Sequence, residues 1–252
     1  MRAGIAITSA TIRQVLPRRR TILYLLAESA PALVYLLMAS TLSDEAAALE
    51  RFMLLVITLY FPLLVPIVTL IIASAVLGHE RRDGTLSFLV LRPIPRWVIA
   101  TAKILAAIIV AGGLNAFGAL ALSSALAIET GIWDFVIPLV VGGLVASIVY
   151  AAILVPVGFF TDRAVLVGLL VLLIFENGVV FAAPGLSALS GWRLGFSAFV
   201  GLAPEELIAV EIEDFAIELS TLSISLVRTA FVAVVSIVII TMVLRTRDLA
   251  TE

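Results

Sequence analysis

Gly78-His-Glu-Arg-Arg-Asp-Gly-Thr-Leu86, closed by Arg92-Pro-Ile-Pro-Arg96, is the one charge-dense stretch between two long apolar runs, residues 52–77 and 97–128. Each run exceeds the roughly 20 apolar residues that an α-helix needs to cross a ~30 Å hydrocarbon layer. The stretch therefore reads as a loop at a membrane border, joining two spans. Within it Asp83 or Thr85 can cap free backbone N–H groups, and Leu86, Leu89 and Val90 fall at i, i+3 and i+4, one apolar helix face. Pro93 stops that helix, and Pro95 turns the chain back to the membrane at Trp97. The spacing predicts a short amphipathic helix across the ends of two spans, a shape that seats in a partner's hydrophobic groove. An ordinary positively charged loop would carry the same residues, and the physics alone leaves the two readings level.

Outward from the loop the pattern repeats. Hydrophobic residues make up 62% of the 252 and charged residues 13%, far more apolar surface than a soluble core of this length needs. The class is an all-α, polytopic integral membrane protein, a single transmembrane domain over 1–252. Apolar runs at 21–41, 52–77, 97–128, 135–160, 165–183 and 221–244 predict six transmembrane helices. Arg18, Arg19 and Arg20 give the first run the look of a signal peptide, but its length, Glu28 and Pro31 predict an uncleaved span. A net charge of -2 argues against nucleic acid as a partner, leaving lipid as the solvent of most of the surface. With no Cys, disulfides and thiol chemistry are excluded.

Arginine and lysine set the orientation. With both termini in the cytoplasm, all of the 16 basic residues except Arg51, Arg193 and Arg228 lie inside or at the inner edge. The acids Asp44, Glu45, Glu50, Glu129 and Asp134, and those from Glu205 to Glu218, then lie outside. The cytoplasmic parts are the leader 1–20 and the loop 78–96. In the leader, Ile5, Ile12, Val15 and Leu16 stand near helical spacing ahead of Pro17, which predicts an amphipathic interfacial helix. The outer segment 184–220 begins apolar but is broken by Gly and Ser, which predicts a partly re-entrant or interfacial helix pair with Trp192 at headgroup level. Its acidic second half, from Pro204 to Glu218, predicts a solvated helix. Pro62 and Pro66 predict a kink in the second span. Gly143, Ser147 and Ala151, at four-residue spacing, predict a close helix approach without saying which helix approaches.

Three ionisable residues fall within apolar runs, where charge is expensive and faces protein or water. Glu176 lies ~16 Å above the inner start of its span and Arg228 ~10 Å below the outer start of its own, so a Glu176–Arg228 pair between the fifth and sixth spans is one reading. The other has Arg228 reaching the outer headgroups and Glu176 protonated in a polar pocket. Glu28, near the inner edge, is read as lining a pathway or pairing with an Arg of the leader. The single His79 beside Glu80 reads as a structural polar contact. No Gly-x-x-x-x-Gly-Lys-Ser/Thr, HExxH or CxxC pattern is present, so no catalytic residue, metal site or cofactor site is expected in this chain.

Glu80, Gly84-Thr85-Leu86, Pro93, Arg96 and Lys103 resemble the signature after the second span of type-2 ABC-transporter permeases. More specifically, they resemble the short six-span branch that includes the nitrous-oxide reductase maturation permease and drug and bacteriocin-immunity exporters. The span count, interfacial leader and apolar outer segment are similar to that architecture too. The resemblance implies that 78–96 is a coupling helix docking on a separate ATP-binding subunit. Glu80, Gly84, Thr85, Leu86 and Arg96 would shape or dock it, and Lys103 would anchor the third span. It also implies two ATPase copies holding ATP and Mg, a second copy of this chain or a homologous permease, the plasma membrane of a prokaryote, and export. The chain departs from the family in its leader, where Arg13-Gln14 and Arg18-Arg19-Arg20 replace a Lys-Glu pair before an Arg. Two rival readings stand beside it: a proton-driven secondary transporter using Glu28 and Glu176, and a membrane subunit that transmits force for maturation of a partner. Against the first, the sequence shows no paired broken helices or repeated halves.

Overall fold

The structure is a computed structural model that describes residues 2–39, 45–82, 94–161, 163–176, 189–204 and 219–246. Among these residues every regular element is helical, as hydrocarbon demands of any open chain that must satisfy its own backbone. Five helical stretches are long and apolar enough to cross a membrane: Arg18–Ala39, Glu45–Val76, Arg96–Thr130, Val136–Gly158 and Leu222–Arg245. They coincide with five of the six expected runs. Where the run 165–183 predicts a further span, the described helix is the shorter Ala164–Ile174.

The leader forms α1 (Arg2–Val15), and Pro17 separates it from the first span. Its packed stripe is Thr8, Thr11 and Val15 rather than the aliphatic residues alone, and Ile5 is exposed. The first span is two half-helices, α2 (Arg18–Glu28) and α3 (Ala30–Ala39). Pro31 cannot donate to the carbonyl four residues back, so the ladder breaks at Ser29. The second span runs through α4 (Glu45–Leu55), a π-helical segment (Val56–Leu64) and α5 (Val65–Arg82). Pro62 lies inside the π-helical segment, where the wider turn absorbs its missing donor.

The third span is α6 (Arg96–Thr130), ended by Gly131 at φ 82°, a left-handed cap that suits glycine. Then follow α7 (Val136–Phe160), α8 (Ala164–Ile174), α9 (Gly191–Val200) and α10 (Leu222–Thr246). Helix α7 is central, packing on α5, α6, α8, α9 and α10, while α1, α2 and α3 pack on α6. The predicted row of small residues finds its partners here. Gly143 faces the Tyr60 hydroxyl and Ser147 faces Asn115, so that row meets the second and third spans. The neighbouring positions Gly142 and Ala146 receive Gly195 of α9.

Helix α9 runs back along α7: Gly191 lies on the Tyr150 ring, Gly195 on Ala146, and Phe199 beside Gly142. It is therefore a half-helix that starts level with the middle of α7 and runs to the end where α7 begins. Trp192, expected at headgroup level, lies at the deep end instead and packs on Phe196 with centroids 6.3 Å apart. The physical reason is the glycine beside it, which lets the helix start flat against the Tyr150 ring. Phe61, Phe196, Phe199, Phe135 and Phe52 form one buried aromatic chain joining α9, α7 and the second span.

Candidate functional site

Polar side chains collect at three depths in an otherwise apolar bundle. At the basic end, Lys103 is fully buried. Its Nζ donates to Thr11 Oγ1 at 2.9 Å and to the Val76 carbonyl at 3.4 Å. Thr8 Oγ1 donates to the Ala102 carbonyl at 3.3 Å. Together these tie α1 to α5 and to the start of α6, close to where the loop leaves and returns. Arg96 begins α6, and the Glu80 backbone lies in α5. Gly84, Thr85, Leu86, Leu89 and Val90 fall outside the described residues.

At the opposite end Arg51 Nη2 lies 3.0 Å from Glu129 Oε1. Tyr35 Oη donates to Glu129 Oε2 at 2.5 Å, and the Arg51 guanidinium sits 5.5 Å from the Tyr35 ring centroid. This cluster joins the first three spans at the end away from Lys103. Arg51→Met leaves Glu129 half its partners in a site that water still reaches. The expected loss is about 1.5–3 kcal/mol, the worth of a hydrogen bond to a charged group, discounted for exposure. Thermal unfolding in detergent measures it, and Glu129→Gln, whose single amide oxygen replaces only one of the two acceptors, is expected to lose stability as well.

Mid-depth holds a layer that sequence reading missed. Asn115 Nδ2 donates to Ser147 Oγ at 2.7 Å and Thr69 Oγ1 at 3.2 Å, and Tyr60 Oη donates to the Asn115 carbonyl at 2.8 Å. All four side chains are buried. The signal was a lone Asn inside the third apolar run. Beside this layer stands Glu28, with no exposed surface and no hydrogen-bond partner for either carboxyl oxygen among the described residues. It does not pair with an arginine of the leader. Arg18 already belongs to the same helix, and ten residues of helix place Glu28 ~15 Å from it.

Glu176 has a full set of partners. Tyr150 Oη donates to its Oε1 at 2.9 Å, Ser190 Oγ to its Oε2 at 2.5 Å, and the Gly191 N–H to its Oε1 at 3.1 Å. The carboxylate thus sits at the start of α9, where free N–H groups favour an anion. Arg193 is the cation whose charge reaches it. Arg228 is not brought to Glu176, because α10 packs on α6, α7 and α9 while α8 packs on α5 and α7. Similar depth did not make the two helices neighbours.

A model of the ABC-2 family transporter proteins matches residues 17–179. The match opens at the start of the first span and takes in Glu28, the whole 78–96 loop, Lys103, Asn115, Glu129 and Glu176. It leaves α1, α9 and α10 outside. No curated protein matches the chain.

Proposed function

The chain belongs to the ABC-2 family of transporter proteins, and from that premise we propose that it is the permease subunit of an ATP-driven exporter. Its apolar helices make it a multi-pass membrane protein, and its family in general works with an ATP-binding subunit. In the proposed complex two such subunits carry ATP and Mg, and a second copy of this chain, or a homologous permease, completes the pathway. Both termini lie in the cytoplasm and the membrane is a prokaryotic plasma membrane, a reading supported by the arginine and lysine distribution.

The observation that carries the proposal is the family match across the 78–96 loop, taken with the hairpin that holds this loop. Helices α5 and α6 pack against each other and bracket the loop, so force on the loop is force on both helix bases. Lys103 links those bases to α1, which makes one rigid corner of the three. ATPase closure on ATP would press on Leu86, Leu89 and Val90 in their groove, tilt α5 and α6, and open a path between permease copies.

Co-purification of the full chain with its ATP-binding subunit tests this directly. Leu86→Asp with Leu89→Asp places two charges in an apolar groove, where an unpaired charge costs several kcal/mol. Association is expected to fall by at least roughly a hundredfold, and unchanged association would sink the docking reading. A second reading, secondary transport, has the unpartnered Glu28 in its favour. Proton-driven, vanadate-insensitive flux through vesicles containing this chain alone would put that reading in place of the first.

A further inference from the structure

Glu28 stands where three irregular features converge. It ends α2, one residue before the break that splits the first span. Tyr60, in the π-helical segment of the second span, is a titratable neighbour of Glu28. The Tyr60 hydroxyl is already committed to the Asn115 carbonyl at 2.8 Å. On the third span the contact is Gly118, where an added Cβ would collide with Glu28 Oε2 and stand 3.1 Å from the Glu28 carbonyl oxygen. Irregular helix turns and close glycine approaches in membrane proteins mark places where backbone lines a site.

Among the described residues no charge compensates this carboxyl. Along α6, Lys103 stands ~22 Å from Gly118 towards one end, and Glu129 with its partner Arg51 ~16 Å towards the other. The Glu28 carboxyl has no exposed surface, and among the described residues no basic side chain pairs with it. An ionised carboxylate with neither donor nor counter-ion is not sustained in an apolar interior.

We propose that Glu28 is a proton-binding site of the first span, loaded while α2 and α3 rest on Gly118 and unloaded when that contact opens. Release transfers the carboxyl proton to water and leaves a carboxylate, which only a hydrated or opened site accommodates. The first span is built for such an opening. Leu23, Leu26, Leu33 and Leu37 on its far side are exposed, its packing is chiefly on α6, and the break at Ser29 supplies a hinge. The proposal does not rest on the ATP-driven reading, since every step is internal to this chain.

Infrared spectroscopy of the full chain in lipid nanodiscs at neutral pH tests it without the ATP-binding subunit. A protonated-carboxyl C=O band is expected in the native chain and absent in Glu28→Gln. In D2O that band is expected to move to the deuterated position over minutes to hours. Gly118→Ala, which pushes the first span off its seat, is expected to speed the exchange severalfold. Glu28→Asp keeps a carboxyl and should shift the band, which preserves the assignment if Glu28→Gln fails to fold. Identical native and Glu28→Gln spectra would show an ionised Glu28 and overturn the proposal. A Glu28 band that never exchanges would show a fixed structural proton and overturn it equally.

Discussion

Glu176→Leu is expected to lower the midpoint of thermal unfolding in detergent by roughly 5–15 °C, at about 2–4 °C per kcal/mol for a chain of this size. The substitution removes the acceptor of Tyr150 Oη, Ser190 Oγ and the Gly191 N–H together. Tyr150 and Ser190 are buried, so their hydroxyls have no water to turn to. An orphaned buried donor costs about 1–3 kcal/mol, while polar contacts inside membrane proteins average nearer ~0.6 kcal/mol; three at a half-buried site place the loss at roughly 2–5 kcal/mol. Glu176→Gln retains one acceptor oxygen and should lose less. In a double-mutant cycle, Tyr150→Phe should cost about 1 kcal/mol in the native chain and close to nothing beside Glu176→Leu. Equal cost in both backgrounds would show that Tyr150 and Glu176 are not coupled. Since the three donors come from α7 and the start of α9, the variant should also release α9 first, read as early hydrogen exchange over 191–200.

The helices were far more legible in the sequence than their neighbours. Apolar runs marked five described spans to within a few residues at most ends, because a helix in lipid must be apolar along its whole length. That same uniformity hides which face meets which helix. Glu176 and Arg228 could be placed at overlapping depths, yet depth on two helices says nothing of their separation across the bundle. Glu28 was flagged by charge and read as near the inner edge, and the described helix begins at Arg18, ten residues before it. Asn115 passed unread because one amide in an apolar run carries meaning only once Thr69 and Ser147 are seen opposite it. The small residues of α7 announced a close approach, and only the fold assigned Gly143 and Ser147 to one side and Gly142 and Ala146 to the other. The Glu80 to Arg96 loop was the reverse case, readable as a motif through its resemblance to a family whose match now spans it.

Gly195→Val should unseat α9 even though it leaves every hydrogen bond of Glu176 in place. A Cβ at this position would lie 2.6 Å from the Ala146 Cβ, 2.7 Å from the Gly142 carbonyl oxygen and 2.9 Å from Phe61 Cε1. Two of those neighbours are the backbone and Cβ of the central helix, and the third belongs to the buried aromatic chain, so none yields by a simple rotation. Overpacking a rigid contact costs about 1–3 kcal/mol and occasionally more, which here means a fall of roughly 2–12 °C in unfolding midpoint. Gly113→Ala on α6 is the control, because its added methyl meets nothing within 4 Å and alanine favours the helix over glycine by up to ~1 kcal/mol. If both variants lost stability alike, helix content rather than the α7–α9 contact would be the cause. Gly195→Val and Glu176→Leu act on one helix by different means, steric and polar. Combined, they should cost less than their sum, because a half-helix already lifted from α7 has no seat left to lose.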